Sequence, residues 1–347
     1  MATYHALGMH LVGAGSMAHV AHVAHEAAHV ASGGLPAFSW NLLDDWQTIF
    51  QYAFMRNAFA AGTIVAIIAG IVGYFVGLRS LSFAGHALSH IGFAGATGAV
   101  VLGLNPIFGL LAFTVGSAIG MGALGKRLHG RDVAIGIVLA WTLGLGVLFL
   151  SLYTGYATEA YALLFGEVLG ISQRDVLVTL VAGAVTLLAI GIVYRPLLFS
   201  SVDEEVAEAR GVPVRALSVA FMVILALAVS EAVQVVGVLL IFALLVTPAA
   251  IAERLTARPA RALLISAALA LVFTWGGLAV AFYSPYPVSF FITSFAFGTY
   301  LLVRAYPLVV RRRAGATQTP NQRDPSSGAL AEASAAGSTA SAASAVG

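Results

Sequence analysis

Asn57-Ala58-Phe59-Ala60-Ala61-Gly62-Thr63-Ile64-Val65-Ala66-Ile67-Ile68-Ala69-Gly70-Ile71-Val72-Gly73-Tyr74-Phe75-Val76-Gly77-Leu78 carries no formal charge and is bounded by Arg56 and Arg79. A helix rises about 1.5 Å per residue, so this stretch reaches across the roughly 30 Å hydrocarbon core of a bilayer. It reads as a membrane-spanning helix, and the rest of the chain is similar material. Of 347 residues, 60% are apolar and 9% are charged, whereas a soluble domain carries about 25% charge. Mean hydropathy is +0.94. So few charges cannot give a body this size a water-facing surface, which excludes a soluble globular enzyme and a disordered protein. The absence of cysteine excludes a disulfide-stapled secreted scaffold. A net charge of +2 is too weak to argue for nucleic acid as a partner.

Further runs of the same kind lie near 81–104, 106–124, 133–153, 176–194, 214–230, 235–252, 262–283 and 288–306. The predicted fold is all-α and polytopic, with about eight to nine transmembrane helices. The alternating ten-residue strands of an outer-membrane barrel are missing. Segments 214–230 and 235–252 nearly abut through Ser230-Glu231-Ala232-Val233-Gln234, so a hairpin of half-helices is one reading there. Basic residues orient the spans, because cytoplasmic loops are enriched in Lys and Arg. If Arg79 is inside, every second connection is also inside. Those connections hold Lys126, Arg127, Arg131, Arg195, Arg210, Arg215, Arg254, Arg258 and Arg261, with Arg304 and Arg311–Arg313 at the last inner end. Only Arg56 and Arg174 remain outside, and Arg323 lies in the C-terminal tail. The expected topology is N-terminus outside and C-terminus cytoplasmic, in the cell membrane. The predicted organisation is a His-rich extension over 1–48, a membrane domain over 49–313 and a disordered Ala/Ser/Gly tail over 314–347. No basic segment precedes a long apolar core near the N-terminus, so no signal peptide is expected.

Gly85-His86-Ala87-Leu88-Ser89-His90 places two imidazoles at i and i+4, on one helical face inside a span. That separation suits two ligands of one metal ion, and ionisable residues inside a membrane are functional candidates. The alternative is two neutral histidines bonded to neighbouring helices. A zinc protease would need Glu at the position of Ala87, so that reading fails on its own motif. His19, His22, His25 and His29 fall along one stripe if their segment is helical, with Glu26 beside them. They form either a metal-collecting arm or an extension without a specific task. Gly120-Met121-Gly122-Ala123-Leu124-Gly125-Lys126 imitates part of a P-loop, but Arg127 replaces the magnesium-holding Ser/Thr and the stretch ends a span. It reads as a chance match. On the predicted inner side, Asp203–Gly211 suits a short capped helix. Pro248 should break the helix ending near Glu253 and Arg254. That turn could form an inner-face element able to meet a partner, or an ordinary loop.

Together, these motifs resemble the membrane subunit of the zinc/manganese-type ABC metal importers over residues 52–306. The carriers are Arg79–His90, Asn105-Pro106, Leu164-Phe165-Gly166-Glu167-Val168-Leu169, Asp203–Pro213, and Val236–Leu240 running to Leu245-Val246-Thr247-Pro248-Ala249-Ala250. The resemblance implies the permease architecture related to siderophore and cobalamin permeases. It also implies a transport subunit rather than an enzyme, with no permanently bound cofactor and Zn2+ or Mn2+ as cargo. The implied partners are a cytoplasmic ABC ATPase, an extracytoplasmic metal-binding protein, a second permease copy and membrane lipid. On this resemblance His86 and His90 are the path ligands, and Pro248, Ala249, Glu253 and Arg254 belong to the ATPase-coupling region. Many relatives carry Asp where this chain has His86. A His/His pair is softer, so zinc is expected ahead of manganese. The rivals are an ABC permease for a metal chelate such as a siderophore and an ion-coupled secondary transporter. The first leaves the His86/His90 pair without a task. The second normally shows acids deep within several spans.

Overall fold

The computed structural model describes residues 42–124, 131–152 and 170–316, and every element among them is a helix. In chain order these are α1 Leu42–Gln51, α2 Ala53–Leu78, α3 Ser82–Val101, α4 Pro106–Leu124, α5 Arg131–Leu152 and α6 Gln173–Val202. Then come α7 Glu204–Ala209, α8 Val214–Val236, α9 Val238–Leu255, α10 Pro259–Phe282 and α11 Val288–Ala316. The nine expected segments correspond to α2–α6 and α8–α11. Among the described residues, 7 helices are long and apolar enough to cross a membrane; α3 and α9 are not in that set. Two histidines and a series of glycines lower the hydropathy of α3, yet most of its residues are buried.

Side-chain contacts give the relative directions within the unit that ends at Tyr300. Asn57 Nδ2 donates to the Ile171 carbonyl (3.0 Å), while Arg79 Nη1 donates to Ser200 Oγ (3.2 Å), so α2 and α6 run parallel. Ser266 Oγ donates to the Gly70 carbonyl (2.7 Å) and Trp275 Nε1 to Thr63 Oγ1 (2.8 Å), which makes α10 antiparallel to α2. Thr114 Oγ1 bonds Ser230 Oγ at 2.7 Å near one end of the α4–α8 pair, and Gly122 faces Val219 near the other. Those two helices are therefore antiparallel. The α3 backbone meets α4 where Gly95 and Gly109 pack carbonyl against Cα. Small residues permit such contact between spans, where dispersion rather than water exclusion holds helices together. This up-and-down order brings Arg79, Arg195–Arg215 and Arg254–Arg261 to one end of the bundle, as the charge pattern required. From Leu301 onward a second unit begins; its described part is the end of α11, to Ala316. That helix runs slightly past the predicted tail boundary at 314, a difference within the usual fraying of helix ends.

Several termini follow local chemistry. Pro106 opens α4, where Asn105 Oδ1 accepts the Ile107 N–H (2.9 Å). Ser172 and Asp175 form a reciprocal capping box on α6. Asp203 caps α7 by accepting the Val206 N–H (3.0 Å), and Gly211 follows with φ +83°. The expected short capped helix over this segment is present.

Two expectations are corrected. The chain does not break at 230–234: α8 continues to Val236, and the interruption is Gly237 alone, with φ 82° and ψ 163°. Only glycine adopts that backbone cheaply, so the break sits where the Cβ is missing. Pro248 does not end α9, which continues through it to Leu255. A proline removes one ladder bond, and burial of Leu244, Leu245, Ile251 and Ala252 around it offsets that loss. The connection to α10 is then Thr256, Ala257 and Arg258, with Pro259 at the first helical position and no separate short helix.

Candidate functional site

The centre of the site is α3, which carries His86 and His90 on successive turns. Their rings meet edge to face, with centroids 4.6 Å apart and planes at 81°. Phe242 of α9 closes against His86 with a centroid distance of 5.0 Å. Both imidazoles are half-buried. No hydrogen bond from a described residue reaches either ring, and His86 Nδ1 is buried without a partner. The alternative of histidines bonded to neighbouring helices therefore finds no support among the described residues. Ser89, between them, turns its hydroxyl back to the His86 carbonyl (2.7 Å) and is fully buried, so it leaves the histidine face clear. Two imidazoles with available lone pairs can contribute half of a tetrahedral zinc shell. Among the described residues no third His, Cys, Asp or Glu joins them. The arrangement therefore suits a passing ion whose other ligands are water or groups from elsewhere.

His19, His22, His25 and His29 lie outside the described residues, as do Leu164–Leu169 and the end of the P-loop imitation. The four residues expected to meet a partner divide into two pairs. Pro248 and Ala249 are buried inside the bundle and offer no surface. Glu253 and Arg254 are exposed at the end of α9 and point differently: the Glu253 carboxylate lies against Gly77 of α2, and the Arg254 guanidinium stands 5.7 Å from the Tyr300 ring centroid.

Two features escaped the sequence reading. Phe242 resembles every other apolar residue of its span, so nothing in the sequence marks it as the wall of the histidine site. A span ending at Ser230 leaves Glu231 in the link between helices. In the continuous α8 it sits within the bundle, 6% exposed, and neither carboxylate oxygen has a hydrogen-bond partner with bonding geometry. An acid interrupting an apolar run was the available signal.

Residues 51–306 match the ABC 3 transport family. The chain belongs to that family. As an ABC 3 member it is a multi-pass membrane subunit whose role is transport, with ATP hydrolysis in a separate subunit. Among its relatives, the manganese transport system membrane protein MntC of Listeria innocua is 32% identical over 231 residues, 66% of this chain and 82% of that protein. The manganese import system permease protein ScaB of Streptococcus parasanguinis is 36% identical over 207 residues, 58% of this chain and 72% of that protein. In the solved structures, PsaBC from Streptococcus pneumoniae in complex with Fab matches with a TM-score of 0.68 and 30% identity. That match covers 76% of this chain and 95% of the PsaBC chain. Family membership places the chain in an ABC importer, which works with an ATPase and a substrate-binding protein.

Proposed function

We propose that this ABC 3 permease imports a divalent transition-metal ion and that His86 and His90 are its ligands within the membrane. The observation that carries the reading is the pair itself: two adjacent imidazoles on one helical face, half-buried, with no hydrogen bond from a described residue reaching either ring. Weak, incomplete ligation suits transport, since a closed site would trap the ion. The proposed assembly has two permease copies in lipid, a binding protein delivering the ion at the N-terminal end of α2, and the ATPase at the end bearing Arg79 and Arg258. The termini follow from the basic residues, with the N-terminus outside and the C-terminus inside. In this assembly the exposed end of α9, with Arg254 and the Thr256–Arg258 link, meets the ATPase, and buried Pro248 and Ala249 carry its movement into the core.

The cargo is divided between two ions by different observations. The His/His pair has no carboxylate and favours zinc on ligand softness, while the names of the relatives favour manganese. Uptake by the purified importer, with zinc and manganese in competition, tests the choice. Zinc should suppress manganese accumulation when present at equal concentration; equal or stronger manganese uptake would replace zinc with manganese as the cargo.

A further inference from the structure

Directly beyond the histidine site lies a cavity of about 370 Å³ between the end of α2, the start of α3 and the last turns of α9. Its position is set by two helical ladders. On α3, Ser82 lies one turn before His86. On α9, Val246 and Ala250 continue the row begun by Phe242, which touches His86. The cavity therefore starts one turn from the His86–Phe242 contact and leads towards the end of the bundle proposed to face the cytoplasm.

Three features make this cavity more than a packing gap. Glu253 is the one charged side chain in its lining, and no hydrogen bond or ion pair from a described residue engages its carboxylate. Gly77 makes room for that carboxylate, since a Cβ there would stand 2.7 Å from Glu253 Oε1. The turn from α2 to α3 also places Ser80 in the lining at φ 55°, the one non-glycine residue with positive φ among those described. Its N–H bonds the Gly77 carbonyl (2.9 Å) and the Leu81 N–H bonds the Val76 carbonyl (2.8 Å), a Schellman turn whose left-handed position usually belongs to glycine. A serine held in that conformation is backbone strain in the lining of the cavity. The neighbouring cation is turned away: Arg79 reaches Ser200 and Ser201 of α6 instead.

We propose that this cavity is a second cation station, an exit vestibule that receives the divalent ion from His86 and His90 through Glu253 and the hydroxyls of Ser80 and Ser82. Imidazole suits zinc, whereas carboxylate oxygen and water suit harder ions such as manganese. For zinc the order from nitrogen to oxygen therefore runs towards weaker grip and release, and for manganese the carboxylate supplies a ligand the histidine pair lacks. The assignment moves Glu253 from the ATPase contact to the path, and it rests on the metal-import reading above.

The chain contains no cysteine, so Ala250→Cys gives a single reporter thiol in the full-length protein. In inverted membrane vesicles, its modification by a cationic and by an anionic methanethiosulfonate is timed with and without Mn2+. The cationic reagent should be the faster, Glu253→Gln should reduce the cationic-to-anionic rate ratio about tenfold, and Mn2+ should slow modification only where Glu253 is present. Phe83→Cys, also in the lining, repeats the measurement from α3 if the first variant fails to fold. An unchanged ratio in Glu253→Gln, with Mn2+ uptake intact, overturns the vestibule and leaves the import reading standing. A ratio that depends on Glu253 without any Mn2+ protection overturns the cation station, and absent uptake of Mn2+ and Zn2+ by the unmodified importer overturns the import reading itself.

Discussion

Replacing Gly95 with alanine tests whether the backbone contact between α3 and α4 holds the histidine helix in place. A Cβ on Gly95 would stand 2.6 Å from Phe113 Cβ and closer still to the Gly109 carbonyl oxygen. Ordinary contact begins near 3.4 Å, so the helices must part by about 1 Å or more, or the backbone must bend. Overpacking of this kind costs roughly 1–3 kcal/mol, and losing the close dispersion contact adds to it. Gly109→Ala meets Ala99 Cβ at 2.6 Å and the Gly95 carbonyl from the opposite side, and should cost a similar amount. Because both substitutions demand the same separation, the double variant should cost clearly less than the sum of the two. Gly116 lies on the same α4 with open space where its Cβ would go. Gly116→Ala should therefore be neutral or stabilise by up to about 1 kcal/mol through helix propensity. Thermal melts in detergent, followed by tryptophan fluorescence because the chain has no thiol for a reactive dye, should show Gly95→Ala lowered by roughly 4–8 °C. Equal effects of Gly95→Ala and Gly116→Ala, or strict additivity in the double variant, would refute the reasoning.

Glu231→Ala, opening a void beside Gly183, should cost roughly 2 kcal/mol of stability and lower the melting temperature, whereas Glu231→Gln, which keeps the side-chain shape, should cost much less. A glutamine variant as unstable as the alanine variant would show that the carboxyl itself, and not the volume it fills, matters there. Ser80→Gly relieves a left-handed serine at the cost of a more flexible unfolded chain, a net gain of roughly 0.5–1 kcal/mol readable in the same melts; a loss would mean that the hydroxyl holds the turn together. Trp275→Phe removes the hydrogen bond to Thr63 Oγ1 between α10 and α2 and should cost about 1 kcal/mol, with no change expected in metal uptake.

The parts of this fold that follow local rules were legible in the sequence. Uncharged runs marked the spans, basic residues gave their alternation, and the acids at Asp203–Glu205 marked the start of a short helix because capping involves only neighbours. The His86/His90 spacing fixed a shared face on α3 for the same reason. What the sequence hid depends on residues far apart in the chain. Pro248 reads as a breaker until the burial of its neighbours is known, and the α8–α9 boundary is set by Gly237 and not by the polar residues before it. The Glu253 carboxylate lies against Gly77, more than a hundred residues earlier, and no spacing rule connects them.

The central claim concerns His86 and His90, and ATP-dependent accumulation of radioactive zinc and manganese in proteoliposomes tests it most directly. The vesicles would hold the permease with its ATPase and be supplied with the loaded binding protein. The unmodified importer should accumulate metal, while His90→Ala and the His86→Ala/His90→Ala pair should accumulate none, although their ATPase assembly remains intact. Undiminished accumulation by the doubly substituted permease would contradict the account and remove both histidines from the path.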